Sequence, residues 1–274
     1  MIRVVAVAGV VTVQDGGRPG RMHEGVPPGG AFVPELLARA NAAARNARGA
    51  AGLEVFGSVT LAADERTWVA DDGGEARALV PGQAWTVGVG VGAGAGARVR
   101  YVGVRGGLDV PVVLGGRGTL LLAGFGGYEG RLLRRGDAIG VRASPAVDSA
   151  LPAPPDGAAA VAVVPGPDLE RFAPEALDAL LATTFTIDAR SDRTGIRLAG
   201  PPLPRALADG DVAGSAPMVR GALQVPPGGL IALGPDHPTT GGYPVLATVM
   251  HDAWGSLAAR PVGAPVRFAL TPSA

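Results

Sequence analysis

The amino-acid sequence predicts a mainly β fold with a few short helices. The chain has 44 glycines and 25 prolines among its 274 residues, and short valine-rich runs lie between them. This composition is typical of many short strands joined by tight turns. Only two segments carry the three- and four-residue apolar spacing of an amphipathic helix.

The first strand is predicted from the apolar run that begins at Met1 and ends in the polar pair Gln14 and Asp15. The run has no small-residue cleavage pattern, so we interpret it as a strand and not as a signal peptide. Two later strands are predicted from alternation. Valines alternate with glycines in WTVGVGVGAGAG, from Trp85 through Val91, and RVRYVGVRGG, from Arg98, alternates as well.

The two predicted helices lie in different halves of the chain. PELLARANAAARN begins with Pro34, and PEALDALLA begins with Pro174; proline is favoured in the first turn of a helix. Residues 143–160 lie between the halves and are rich in proline, serine and small residues, which is typical of a linker. We therefore predict an N-terminal β domain over 1–150 and a C-terminal β domain over 151–274.

The composition excludes several classes of chemistry. There is no cysteine, and all 24 basic residues are arginine, so the chain offers no thiolate, no Schiff-base lysine and no lysine for covalent biotin. The basic residues are balanced by 24 acidic ones, which argues against nucleic acid as a partner. His23, His237 and His251 are scattered, so we predict no metal site. No apolar segment reaches the roughly 20 residues of a membrane span, and we expect a cytoplasmic protein without a membrane partner.

Glycine-rich polar clusters are the candidates for chemistry. The loop after the first strand offers Gln14, Asp15 and Arg18. Asp15 and Arg18 could pair to lock a long turn. An arginine fork is also suited to a carboxylate or a phosphate, and we favour that role for Arg18.

Further arginines lie beside glycines later in the chain. RSDRTGIR contains Arg190, Arg193 and Arg197 within eight residues, which predicts either an anion site or a solvated charged edge. Arg117 follows a glycine pair and Arg131 follows Gly130 in the glycine-rich segment 115–137.

Two amide side chains raise a similar choice. Gln224 precedes the rigid turn VPPGG, where the alternative to a functional role is a buried glutamine that satisfies backbone groups. Asn41 lies inside the first predicted helix, where asparagine has an unfavourable helix propensity, so another role must account for asparagine at this position. Asn46 is predicted to cap the end of that helix.

The segment DHPTTGGYP, residues 236–244, is the last candidate. Its Thr-Thr-Gly-Gly core resembles a nest of backbone N–H groups that could face an anion, and a plain turn is the alternative. We predict ligand contacts here, with Tyr243 packing behind the two threonines and two glycines.

Ten blocks, taken in order, resemble the KipA/allophanate hydrolase subunit 2/biotin-dependent carboxyltransferase-like family: TVQDGGRPG, GVPPGGAF, ARANAAARN, LEVFG, YVGVRGGLDVPVVLGGRGT, FGGYEGRLLRRGD, RSDRTGIRLAG, GALQVPPGG, DHPTTGGYP and PVGAPVRF. The resemblance extends from about residue 10 to residue 268. It implies two cyclophilin-like β-barrel subdomains, with a functional cleft where they meet.

The resemblance also implies partners and an activity. Members pair with a KipI-like protein (allophanate hydrolase subunit 1) and, with a LamB/YcsF-like subunit, form a hetero-oligomeric ATP-dependent 5-oxoprolinase that converts 5-oxo-L-proline to L-glutamate. The alternatives are a non-catalytic KipA-type regulator of a KipI-like kinase inhibitor, and the carboxyltransferase component of a biotin-dependent urea carboxylase/allophanate hydrolase system. ATP is then used by the complex, no cofactor is covalently bound, and biotin enters only in the carboxyltransferase alternative.

Within this framework we predict catalytic roles for Arg117, Arg193 and Gln224. Substrate contacts are predicted for Gln14, Arg18, Asn41, Arg131, Arg190, Thr239, Thr240, Gly241, Gly242 and Tyr243.

The chain also departs from the family pattern. Val33 and Ala216 stand where acids are usual, Gly116 and Gly118 stand where serines are usual, and Thr194 replaces a methionine. Such losses fit a specialised active site, or a member that retains the partner interaction without the activity.

Overall fold

A computed structural model of the protein describes residues 1–90, 96–204 and 214–271, so Val91 of the predicted alternating strand lies outside the described residues. The chain forms two compact units. Unit 1 comprises Met1–Pro19 and Pro28–Pro155, and unit 2 comprises Gly20–Pro27 and Asp156–Ala274. The main division thus falls after residue 155 instead of residue 150, and a short loop from the N-terminal half groups with unit 2.

The prediction of a mainly β fold is confirmed. Strands account for 35%, and the described residues include three short α-helices and two curled, near-barrel sheets. Four 3₁₀ turns also occur among the described residues: Met22–Glu24, Leu121–Ala123, Leu169–Arg171 and His251–Ala253. No helix in the described part of the chain is long and apolar enough to cross a membrane.

Unit 1 is built on an eight-stranded sheet with one α-helix packed on it. The strands run in the order β4-β3-β6-β2-β1-β8-β7, β5 also pairs with β2, and every pairing is antiparallel. The elements are β1 (Ile2–Gln14), α1 (Pro34–Ala43), β2 (Gly52–Ala63), β3 (Thr67–Asp71), β4 (Ala76–Leu79), β5 (Ala84–Gly88), β6 (Arg100–Val104), β7 (Leu108–Asp109) and β8 (Ala138–Val141).

The long pair β1 and β2 organises unit 1. The two strands pair from Ile2 opposite Ala63 to Gln14 opposite Gly52. Gly9 and Gly57 face each other along this pair with φ angles of 93° and 123°. Since a Cβ on Gly57 would lie 2.0 Å from a backbone oxygen, the close approach requires glycine. Paired glycines of this kind allow a sheet to bend.

Unit 2 has a second eight-stranded sheet, in the order β17-β10-β11-β14-β13-β16-β9-β18, and a separate two-stranded ribbon of β12 and β15. β9 and β18 are parallel, and the other pairings are antiparallel. The elements are β9 (Val161–Pro165), α2 (Ala176–Ala182), β10 (Phe185–Ile187), β11 (Gly195–Ala199), β12 (Ala216–Pro217), β13 (Ala222–Gln224), β14 (Leu230–Leu233), β15 (Thr240–Gly241), β16 (Val245–Val249), α3 (Trp254–Ala258), β17 (Pro265–Val266) and β18 (Phe268–Leu270).

Each unit buries its own apolar residues. The strands of unit 1 enclose a cluster made mostly of valine and leucine, which includes Ile2, Val11, Val13, Leu53, Val55, Leu61, Val102 and Ile139. Unit 2 buries a second set, which includes Phe185, Ile196, Leu223, Leu246, Trp254 and Phe268. These cores fix the ends of the strands, from which the glycine-rich loops extend.

Candidate functional site

In unit 1 the glycine-rich blocks come together around Asp15. We call residues 14–18, 28–31, 113–119 and 125–127 the Asp15–Arg18 loop cluster. The buried Asp15 carboxylate accepts backbone N–H groups from Gly17 at 2.9 Å, Arg117 at 2.5 Å and Gly118 at 3.1 Å. Its carbonyl oxygen accepts the N–H of Ala31 at 3.0 Å. One carboxylate therefore links segments about 100 residues apart in sequence.

Arg18 holds the same cluster from the other side. Its side chain is buried, and its guanidinium donates to the carbonyl oxygens of Val113 at 2.8 Å and Gly118 at 2.6 Å. The guanidinium carbon lies 4.9 Å from the centre of the Phe125 ring, a cation–π contact. The fork predicted to hold a substrate anion is thus directed at loop carbonyls, and the geometry favours a role in positioning this loop.

Gln14 is fully buried beside the arginine. Its Nε2 donates to Thr12 Oγ1 at 3.2 Å and to the Thr119 carbonyl at 3.0 Å. Its Oε1 is buried and has no hydrogen-bond partner among the described residues. A Cβ at Gly118 would lie 2.6 Å from this oxygen, so glycine at this position lets the backbone of residue 118 pass close to the Gln14 side chain.

Glycines mark the places where these loops cross. A Cβ on Gly17 would lie 2.5 Å from the Pro28 carbonyl oxygen, and one on Gly116 would lie 2.7 Å from the carbonyl oxygen of Gly17. On Gly126 it would lie 2.1 Å from the Gly118 carbonyl oxygen. At Gly17 and Gly126 the φ angles are also positive, so these two crossings require glycine, and a Cβ at Gly116 would require the neighbouring backbone to shift.

The other two arginines predicted in unit 1 also have protein partners. The half-buried Arg117 donates through its guanidinium to the Val110 carbonyl. Arg131 forms a bidentate pair with Asp137 at 2.8 and 2.9 Å and also donates to Glu129 at 3.0 Å. Hydrogen bonding from Arg131 is the main reason that the pKa of Asp137 lies below its ordinary value.

Asn41 stabilises the chain after α1. Its Nδ2 donates to the carbonyls of Arg48 at 3.1 Å and Ala50 at 2.9 Å, and its side chain is fully buried. The helix ends in a Schellman motif in which the Asn46 N–H donates to the Asn41 carbonyl at 2.8 Å. The left-handed residue of this motif is Arg45, with φ 61°, and Asn46 follows it and closes the cap, so the prediction that Asn46 caps this helix is confirmed.

Sequence reasoning missed a buried polar network behind the loop cluster. Glu54 Oε2 accepts hydrogen bonds from the Phe32 N–H and the Tyr101 hydroxyl, both at 2.7 Å, and the Tyr101 oxygen accepts the Val33 N–H at 2.8 Å. Glu54 is fully buried. The sequence signal that could have indicated this network is the acidic residue Glu54 inside the otherwise apolar strand segment LEVF. Val33 lies at the N-cap position of α1 and is also buried.

In unit 2 a buried ion pair joins two of the motif blocks. Arg193 donates from Nε to Asp236 Oδ2 at 2.7 Å and from its terminal nitrogen to Oδ1 at 2.9 Å. The side chains are only 8% and 10% exposed. The Asp236 N–H also donates to the Arg193 carbonyl at 3.1 Å. The pair therefore fixes the turn before β11 to the start of DHPTTGGYP, and the predicted catalytic guanidinium faces a carboxylate of the protein itself.

The two neighbouring arginines have other environments. Arg190 is exposed and forms a bidentate pair with Asp188 at 3.0 and 2.7 Å. The hydrogen bonds from Arg190 lower the pKa of Asp188 to about 2. Arg197 lies on the exposed face of β11. Arg190 and Arg197 line one cavity together with Asp188, whereas Arg193 is paired with Asp236, so only two of the three guanidinium groups lie together.

The TTGG core of residues 236–244 contains a short strand and not a nest. Thr240 and Gly241 form β15, which pairs with Ala216 and Pro217 of β12. Neither Gly241 nor Gly242 has the positive φ that a nest of backbone N–H groups uses. The sequence did not indicate this strand, because its pairing partner, β12, lies more than 20 residues earlier in the chain.

Three hydroxyl groups on and beside this strand are available to a ligand. Thr239 is half-buried and Thr240 is exposed, and among the described residues neither side chain makes a hydrogen bond. Tyr243 was predicted to pack behind them, but its side chain is 43% exposed. Its hydroxyl also has no partner within the described part of the chain.

Gln224 forms a hydrogen bond with the residues that follow β15. Its side chain is buried, and Nε2 donates to the Tyr243 carbonyl at 3.1 Å and contacts the Met218 sulfur at 3.2 Å. A Cβ on Gly241 would lie 3.3 Å from the same nitrogen. The amide predicted as catalytic thus satisfies a backbone carbonyl.

We predicted no functional role for His237 from the sequence, but the structure buries this histidine in unit 2. It is 0% exposed, and its Nδ1 lies 2.7 Å from the Pro238 carbonyl oxygen, while Nε2 is buried without a partner among the described residues. Burial is the main cause that lowers the pKa of His237 below 6.5, so the ring is neutral at pH 7.

Comparisons with known proteins give one consistent family. A family model described as "Carboxyltransferase domain, subdomain A and B" matches residues 24–270. The chain is 32% identical to the C subunit of 5-oxoprolinase from Escherichia coli, over 98% of this chain and 90% of that protein. It is 29% identical to the protein of the same name from Haemophilus influenzae, with the same coverage. It is also similar to the crystal structure of K. lactis urea amidolyase, with a TM-score of 0.85 and 26% identity, over 97% of this chain and 18% of that one.

Proposed function

The chain belongs to the carboxyltransferase domain family, subdomains A and B, and from this membership we propose that it is one component of an ATP-dependent 5-oxoprolinase complex. The observation that carries the proposal is the nearly full-length similarity to proteins named as the C subunit of 5-oxoprolinase. The other components would be a KipI-like protein and a LamB/YcsF-like protein, and the complex would hydrolyse 5-oxo-L-proline to L-glutamate.

The proposed reaction opens a five-membered lactam, whose amide carbon is a weak electrophile. Transfer of the γ-phosphoryl group of ATP to the lactam oxygen makes this carbon reactive, and water then adds to it. The C–N bond breaks as the ring nitrogen takes up a proton, phosphate leaves, and glutamate and ADP are released. The protein must hold the substrate carboxylate and stabilise the charge that develops on oxygen.

The unpartnered hydroxyl groups of unit 2 support a role in holding the substrate. Thr239, Thr240 and Tyr243 lie within five residues, and their side chains make no hydrogen bond in the described part of the chain. Arg193 acts in this proposal as a positioning residue, because its fork binds Asp236 at the start of the same segment. Gln224 supports the strand through the Tyr243 carbonyl.

A biotin-dependent carboxyltransferase is the second candidate, and the similarity to K. lactis urea amidolyase favours it. Because the chain contains no lysine, the biotin would have to be carried by another chain. Carboxyl transfer to urea would then replace lactam hydrolysis as the reaction.

Reconstitution separates these functions. The purified chain is mixed with its KipI-like and LamB/YcsF-like partners, and glutamate and ADP are measured with 5-oxo-L-proline and ATP. Equal release of the two products supports the 5-oxoprolinase. Turnover only with urea and a biotinylated carrier would establish the second candidate, and a stable complex without either activity would establish a KipA-type regulatory role.

The hydroxyl groups are tested in the same assay. A Thr239→Val/Thr240→Val double variant should raise the KM for 5-oxo-L-proline about 10-fold or more, since each lost hydrogen bond contributes about 0.5–1.5 kcal/mol. Thr186→Val removes an exposed threonine hydroxyl from β10 and should leave KM unchanged. Equal kinetics for the double variant and the control would contradict the proposed contact.

A further inference from the structure

A cavity of about 230 Å³ opens beside β11 and β14 of unit 2. Within this strand pair Arg197 lies opposite Ile231, and the neighbouring residues of β11 on either side of Arg197 are buried in the core. The cavity is lined by two arginines, small apolar side chains and bare glycine backbone: Arg190, Arg197, Ala199, Gly228, Gly229 and Ile231. The space is suited to a small organic molecule.

Arg197 is the unpaired cation of this cavity. In the part of the chain that the structure describes, its guanidinium donates no hydrogen bond and joins no ion pair. Arg190, by contrast, forms the bidentate pair with Asp188. Arg267 is also exposed and unpaired among the described residues, but it does not line the cavity.

The charge of the cavity wall follows from its three ionisable groups. Asp188 also lines the cavity, and with a pKa of about 2 it stays ionised at neutral pH. Asp188 is hydrogen-bonded to Arg190 and also interacts electrostatically with Arg197, so these three groups leave a net charge of one positive unit on the wall. The nearby carboxylate disfavours a dianion more than a monoanion, because the repulsion grows with the charge of the ligand.

We propose that this cavity binds a small monocarboxylate, with the Arg197 guanidinium holding the carboxylate. The planar fork of arginine matches the two oxygens of a carboxylate. Ala199, Ile231 and the glycine backbone leave room for a short, uncharged body. The inference rests on the proposed function only for its probe, 5-oxo-L-proline, which is a monocarboxylate with such a body.

Binding is measured on the full chain alone, by NMR titration with 5-oxo-L-proline and with 2-pyrrolidone, the same ring without the carboxylate. Binding of 5-oxo-L-proline with at least 10-fold weaker binding of 2-pyrrolidone supports the proposal. No binding of 5-oxo-L-proline, or equal binding of the two compounds, overturns it.

Three variants locate the site. Arg197→Gln should weaken binding of 5-oxo-L-proline about 10- to 100-fold, as expected for the loss of charge-assisted hydrogen bonds. Ala199→Leu should weaken it as well by filling the cavity with the charge intact. Arg267→Gln removes the same charge elsewhere in unit 2 and should change nothing. If Arg197→Gln and Arg267→Gln bind alike, the ligand does not use this cavity.

The binding experiment and the reconstitution experiment test the cavity and the proposed function independently. Binding that depends on Arg197 without turnover in the complete complex leaves the carboxylate site standing and overturns the proposed function. Turnover in the complex together with equal binding of 5-oxo-L-proline by Arg197→Gln and Arg267→Gln overturns the site and leaves the proposed function standing.

Discussion

Removing one partner of the Arg193–Asp236 pair should destabilise unit 2 strongly. Arg193→Met leaves the Asp236 carboxylate largely buried without its two hydrogen bonds of 2.7 and 2.9 Å. Breaking a buried ion pair in this way costs about 3–5 kcal/mol. Since the two side chains retain 8% and 10% exposure, we expect a loss near the lower limit, about 3 kcal/mol. The double variant Arg193→Met/Asp236→Leu should recover most of this loss, because no charge is left buried.

Urea unfolding, followed by circular dichroism, measures these free energies, and hydrogen exchange of peptides from β11 and β14 assigns the transition to unit 2. Arg190→Met is the matched control. It removes an arginine with the same bidentate geometry from an exposed pair and should cost much less. A loss below about 1 kcal/mol for Arg193→Met, or additive losses in the double variant, would refute the reasoning. If Arg193 acts by position, the double variant should also regain activity; if it touches the substrate, it should not.

Three other perturbations test the loop cluster and the buried histidine. Arg18→Met should cost about 2–4 kcal/mol in unit 1, because loop carbonyls lose a buried charged donor; Arg18→Lys should recover less than half of it, and full recovery would show that charge alone suffices. Gly118→Ser should be more stable than Gly118→Ala by about 1 kcal/mol in thermal unfolding, since its hydroxyl can donate to Gln14 Oε1; equal melting temperatures would contradict this. Below pH 6.5 the unfolded chain takes up a proton that the folded His237 resists, so stability should fall from pH 6.5 down to the lowered pKa of His237. His237→Asn should flatten this part of the urea-unfolding profile, and an unchanged slope would show that His237 is not the group responsible.

The fold could be predicted from the sequence because its signals are local. The first strand ends at Gln14 as the polar pair indicated, and α1 begins at Pro34. The second helix begins at Ala176, two residues after the predicted proline. Pro174 and Glu175 form the turn that precedes the helix. Periodicity and turn residues determine such elements without reference to the rest of the chain.

The candidate site could be predicted only in part, because partners distant in sequence decide what a side chain does. Arg18 and Arg193 look like free anion-binding forks in the sequence, yet the structure gives them carbonyls and a carboxylate 43 to 100 residues away. Glu54 looks like an ordinary strand residue until the backbone of Phe32 is placed beside it. Thr239, Thr240 and Tyr243 keep free hydroxyl groups within the described part of the chain, so the predicted ligand contacts of this segment still stand as predictions.

The crossings at Gly17 and Gly126 bear on how relatives of this protein are assigned a function. A blocked crossing sets backbone against backbone, so no change of rotamer can relieve it, and any relative that builds these loops must keep small residues there. The glycine-rich blocks therefore report that a chain can assemble the scaffold. They do not report that it catalyses a reaction, and an inactive regulator would carry them as faithfully as an enzyme. Discrimination between the two has to come from side chains that the scaffold does not need.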